Sequence, residues 1–186
     1  MAKLIKDEQT VKAPSQFLKV KDGSEVVLQS NLIAIVTHFI RNKSMSVICA
    51  ADNCYFCSKG MRFRNEYFYI GNVDKERGII RLPASIFYSM NKDEKVLGKS
   101  KRMFEWIISK EGEGLKTKYS VTRGEDIKED AKEVEKNNKE LVEKISRYEE
   151  KMKGNYSDLL ADSIFMNELE NAEVKNGEVS EVEEPH

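Results

Sequence analysis

The sequence predicts a mainly β body with one small internal helix, then a long C-terminal helix and an acidic tail. Three observations predict it. Short segments rich in Val, Ile, Phe and Tyr alternate with turn residues up to about residue 124. From Ile127 to Met152, apolar or small residues recur at alternating intervals of four and three. Residues 170–186 are acidic and lack aromatics, a composition that cannot build a core.

Residues 1–15 read as a flexible leader, and Phe17 to Val20 as a short extended piece before the Asp22-Gly23 turn. Glu25 to Gln29 and Leu32 to Phe39 read as strands, and Met45 to Cys49 as another. Ala50 to Lys59 is a turn-rich loop carrying cysteines. Arg62 to Val73 is a long strand, joined by a polar connection at Asp74 to Arg77 to a return strand, Gly78 to Leu82. Pro83 opens a short helix, Ala84 to Met90, with Ile86, Phe87 and Met90 on its apolar side. A basic loop, Asn91 to Arg102, precedes a strand around Trp106, and Leu115 to Val121 is the last strand. Greek-key barrels of the OB-fold type have this rhythm, as do other small β-barrels, and periodicity does not choose between them.

The 186 residues carry a net charge of −1, which conceals a polarity. Residues 1–124 hold 22 Lys and Arg against 13 Asp and Glu, and also 13 of the 16 aromatics. A basic, aromatic body with an acidic end points to a polyanion partner. The longest apolar stretch, Leu32 to Ile40, is interrupted by Thr37 and His38 and is too short to span a bilayer. The first residues contain no apolar signal core. A cytoplasmic, non-membrane protein is expected.

Cys49, Cys54 and Cys57 lie within nine residues, and His38 precedes them at the end of a strand. One imidazole and three thiols form the donor set that tetrahedral zinc prefers. A redox Cys-x-x-Cys pair would sit before a helix in an α/β pattern, which this sequence lacks. Four protein ligands leave no open position, so a single structural Zn2+ is expected, pinning the cysteine loop to the flanking strands.

Lys59, Arg62 and Arg64 lead into Tyr67, Phe68 and Tyr69. Alternation places Tyr67 and Tyr69 on one face of the strand and Phe68 on the other. One face enters the core, and the other offers rings to unstacked bases, with Arg62, Arg64 and Arg81 near phosphates. Lys99, Lys101, Arg102 and Trp106 complete the candidate nucleic-acid contacts.

Four pieces occur in order: Phe17-Leu18-Lys19-Val20-Lys21-Asp22-Gly23, His38-Phe39 followed by the three cysteines, Arg81-Leu82-Pro83-Ala84-Ser85-Ile86-Phe87, and the closing run from Ile107 to Val121. By these motifs residues 16–124 resemble the single-stranded DNA-binding proteins of bacteriophages, including the helix-destabilising protein of the T-even phages. The resemblance implies an OB-fold with an inserted zinc loop and coating of single strands during replication and recombination. It also implies zinc ligands at His38, Cys49, Cys54 and Cys57, and a DNA-cleft aromatic pair at Tyr67 and Phe68. The loop is shorter than in the T-even proteins, and the basic N-terminal motif behind their cooperativity is absent here. The long helix is no part of what the resemblance implies.

The seam Ile127, Ala131, Val134, Asn138, Leu141, Ile145, Tyr148 and Met152 predicts a helix over 125–153 ending at Gly154. Two uses of it stay open: packing on the chain's own barrel, which the imperfect Ala131 and Tyr148 favour, and a parallel homodimer. Residues 154–186 are expected to form an acidic tail with a short helix over residues 156–169, suited to competing for the basic cleft or recruiting replication and recombination proteins. A zinc-containing dimeric transcription or RNA-binding factor is the alternative function. An enzyme is not expected, since the body's one histidine is assigned to zinc.

Overall fold

The computed structural model describes residues 17–112 and 117–169. The predicted leader, residues 170–186 of the acidic tail and residues 113–116 lie outside them. The described residues form eight strands and a long C-terminal helix. None of the described helices is long and apolar enough to cross a membrane.

The chain divides into two compact units, each built from two separated stretches. Among the described residues, the first draws on residues 17–29 and 69–129, and the second on residues 30–68 and 130–169.

The first unit holds β1 (Phe17–Leu18), β2 (Glu25–Leu28), β6 (Glu76–Leu82), β7 (Phe104–Glu111) and β8 (Lys118–Asp126), with the second half of β5 (Phe63–Val73). β2 lies antiparallel between β5 and β7, pairing Val27 with Asn72 and Val26 with Trp106. β1 runs parallel to β6, and β8 closes on β7. Asp74 and Lys75 both take positive φ, 52° and 71°, the signature of a tight two-residue hairpin between β5 and β6. The Asp74 carboxylate holds that turn by accepting from the Ser24 hydroxyl at 3.1 Å and the Glu25 amide at 2.9 Å. Helix α2 (Ala84–Leu97) starts behind Pro83 and ends at Gly98, whose φ of 63° is the left-handed cap glycine tolerates best. It is twice as long as predicted, because Asn91 to Lys95 continue it as a polar face. Ile86, Met90, Phe104, Trp106 and Ile108 form the core.

In the second unit, β3 (Ile33–Ile40) runs between β4 (Met45–Ile48) and the first half of β5. Helix α3 (Ala131–Ala161) lies on this sheet. Asp130 caps its start, accepting from the amides of Lys132 and Glu133. Leu141, Ile145 and Met152 are buried, Tyr148 meets Phe68 edge-on, and Asn138 accepts the Asn31 amide at 2.6 Å. The middle of the heptad stripe is therefore buried within the chain, while Ala131 at its start is exposed. The helix also passes through Gly154, where an added Cβ would meet nothing within 4 Å, and ends seven residues later. After a break at Asp162, residues 163–169 are helical again.

Candidate functional site

His38 sits on β3 opposite Val47 of β4 and Phe63 of β5. Cys49 follows the last residue of β4, and its amide donates to the Val36 carbonyl. Cys54 is the residue before α1 (Tyr55–Ser58), and Cys57 lies within that single turn. The chain reverses twice to build this knuckle, at Ala51 with φ 52° and at Gly60 with φ 68°. His38 and Cys54 are buried, Cys49 is half-buried, and Cys57 is exposed at the rim.

The four donor atoms all lie within 4.8 Å of one another. His38 Nε2 is 3.3 Å from Cys54 Sγ and 3.4 Å from Cys57 Sγ, and Cys49 Sγ is 3.5 Å from Cys57 Sγ. A tetrahedral imidazole–thiolate metal site has N–S edges of about 3.5 Å and S–S edges of about 3.8 Å. The donor set and its spacing fit one metal ion. The second ring nitrogen supplies a further criterion. His38 Nδ1 is 3.2 Å from the Arg62 carbonyl, which can only accept, so Nδ1 carries the proton and Nε2 presents its lone pair to the thiols.

Electrostatics agree. Burial holds the His38 imidazole below its usual value, only partly offset by the Arg62 carbonyl, so the neutral ligand form is favoured. Burial pushes Cys54 up, but hydrogen bonds from the amides of Cys57 and Ala50 and from the neighbouring thiols outweigh it, and the net shift is downward. Cys57 is pushed up to about 12, first by its hydrogen bond with Cys49, then by desolvation and by the nearby Cys54 and Cys49 charges. Three thiolates this close repel one another, and a divalent cation removes that obstacle.

The knuckle shares a hydrophobic cluster with the chain's C-terminal helices. Ile40, Val47, Cys54, Phe56, Leu159 and Phe165 form its buried part. His38 lies tilted against Phe56 at 5.8 Å.

The candidate nucleic-acid contacts are distributed differently from the prediction. Tyr67, Phe68, Tyr69 and Trp106 are core residues, between 0 and 5% exposed, and offer no open ring to a base. Alternation misled here because β5 is covered on both faces from Glu66 to Gly71, so its rings do not divide into an inner and an outer set. Trp106 donates to the Lys101 carbonyl at 2.8 Å. In the first unit Lys99, Lys101 and Arg102 are paired with Asp126, Glu94 and Glu129, and Arg81 lies over the Phe17 ring at 5.5 Å. In the second unit Lys59 sits over Tyr55, and Arg64 reaches Ser46 and Glu66 while lying 5.0 Å over Phe39. Arg62 anchors His38 through its carbonyl only, and its guanidinium has no partner among the described residues.

Sequence reasoning missed Phe39 and Phe63. They are 44% and 60% exposed, at the end of the sheet that carries the knuckle. The alternation Arg62-Phe63-Arg64, a ring between two cations, was the available signal.

No protein-family model matches the chain, and no curated protein or solved structure matches it significantly.

Proposed function

We propose that this protein binds single-stranded DNA without sequence selection and protects it during replication and recombination. One structural zinc ion at His38, Cys49, Cys54 and Cys57 and an OB-type barrel body belong to the same reading. The observation that carries it is the coupling of the knuckle to a basic strand end: the imidazole that presents Nε2 to the Cys54 and Cys57 thiols holds the Arg62 carbonyl with its other nitrogen. Four protein donors close a tetrahedral zinc, so the ion supplies rigidity and no reacting position. Its effect is to fix Arg62 to Arg64 in place, on a body whose residues 1–124 carry a surplus of nine positive charges. Phosphate neutralisation by such a body is independent of sequence. The resemblance of residues 16–124 to phage single-strand binders supports the same conclusion. The acidic end of the chain is suited to recruiting replication and recombination proteins.

A protein that prefers single strands lowers the melting temperature of a duplex by mass action. Adding the zinc-loaded chain to poly(dA-dT) at low salt is expected to depress its melting and to slow nuclease digestion of denatured DNA. Unchanged or raised duplex melting contradicts the reading.

A further inference from the structure

We infer that single-stranded nucleic acid crosses the metal-bearing end of the second unit's sheet, stacking bases on Phe39 and Phe63 and placing phosphates at Arg41 and Arg62. This inference rests on the single-strand reading and moves its contact surface away from the aromatic run of β5. The end of the sheet is formed where β3 finishes at Ile40, β4 starts at Met45 and β5 starts at Phe63. Ile40 pairs with Met45 and His38 with Phe63, so all three strands reach this end together.

Phe39 and Phe63 leave the sheet on opposite faces, because Phe63 is paired with His38 and Phe39 is its neighbour. Two shallow clefts connect them. One is lined by Phe39, Ile40 and Arg41, the other by Arg62 and Phe63, and Met61 lines both. A strand that passes around the sheet end meets one ring, then Met61, then the other ring.

Charge selects the occupant. Neither the Arg41 nor the Arg62 guanidinium has a partner among the described residues. Arg64 lies over Phe39 and is held by Ser46 and Glu66, so it buttresses that ring. Exposed aromatic faces flanked by guanidinium groups that have no partner among the described residues suit unstacked bases joined by phosphates, whereas an apolar peptide would leave the arginines unused. Glu168 is the acid lining the Phe39 cleft, and it opposes a polyanion there.

The test is titration of fluorescent oligo(dT) with the full-length, zinc-loaded chain and with Phe39→Leu, Phe63→Leu, Arg62→Ala, Glu168→Gln and Tyr88→Leu. The leucine variants keep apolar bulk and remove the ring. Tyr88, 57% exposed in the first unit, is the control for a general loss of surface aromatics. Bound metal per chain is measured for each variant, so that loss of the fold is recognised. The expected result is a weakening of about tenfold or more for each phenylalanine variant. Arg62→Ala should reduce the salt slope by about 0.7. Tighter binding is expected for Glu168→Gln and no change for Tyr88→Leu. Parent-like binding by both phenylalanine variants, with the parent still preferring single strands, overturns the surface and leaves the single-strand reading standing. A parent chain that does not bind oligo(dT) at low salt overturns both.

Discussion

Tyr156 meets Phe56 edge-on, with ring centroids 5.3 Å apart and planes at 88°. Its hydroxyl accepts the amide hydrogen of Tyr55 at 2.9 Å. The last turns of α3 thus rest on the two residues between Cys54 and Cys57, and the helix end and the knuckle support each other.

Metal removal should therefore be felt in the helix. Structural zinc contributes about 10–16 kcal/mol of apparent binding energy in small zinc-finger peptides, and much of it is folding energy. Chelation at neutral pH is expected to lower the thermal midpoint and to accelerate amide exchange over residues 155–161 more than over residues 131–141. Exchange by mass spectrometry checks this, and equal acceleration at both ends contradicts the coupling.

Phe56→Ala removes a fully buried ring from the cluster that contains Cys54, Leu159 and Phe165. The expected loss is about 3–5 kcal/mol in denaturant unfolding. Metal should also be released at lower chelator concentration. Tyr156→Phe keeps the edge contact and removes only the hydroxyl, so its cost should be about 1 kcal/mol.

Two glycines predict opposite signs. A Cβ at Gly71 would meet the Val27 carbonyl oxygen at 2.1 Å and Ile80 Cδ1 at 2.9 Å, where β5 presses on β2. Gly71→Ala should destabilise by about 2–3 kcal/mol. Gly154 is inside α3 with open space around it, so Gly154→Ala should stabilise by about 1 kcal/mol. Thermal unfolding of the two variants decides both.

Asp162 gives a pH dependence. Its carboxylate accepts from the amides of Phe165 at 3.0 Å and Ile164 at 3.1 Å and pairs with Lys43 at 3.1 Å. The Phe165 hydrogen bond, then the Lys43 hydrogen bond, hold its pKa below the ordinary 3.8. A depressed carboxylate stabilises above its unfolded pKa and loses that contribution as pH falls through the folded one. Residues 163–169 should stay anchored at pH 5 and loosen only in acid below 3.8, as read from the carboxyl and Phe165 amide signals in NMR. Asp162→Asn should abolish that acid step.

The clustering of the four donors was legible in the sequence because cysteines have few other uses in such a loop, and three within nine residues leave little choice of geometry. Strand positions were legible for the same local reason, since Val, Ile and aromatics between turn residues mark them. What failed was long-range. No local pattern tells that β5 is covered on both faces, so Tyr67, Phe68 and Tyr69 read as a divided strand and not a buried one. The heptad gave the helix but not its partner, because a seam is the same whether it meets a second copy or its own sheet. Gly154 read as a stop because a glycine ends a helix only when the following residues turn away, and here Asn155 and Tyr156 find partners in Ser46 and Tyr55.

The most direct measurement is anisotropy of a fluorescent single-stranded oligonucleotide titrated with the zinc-loaded chain, with duplex of the same sequence as competitor, at two salt concentrations. The account predicts tight single-strand binding that duplex competes for poorly, that weakens as salt rises and that does not depend on base sequence. Preference for duplex, or no binding at the lower salt, would contradict it.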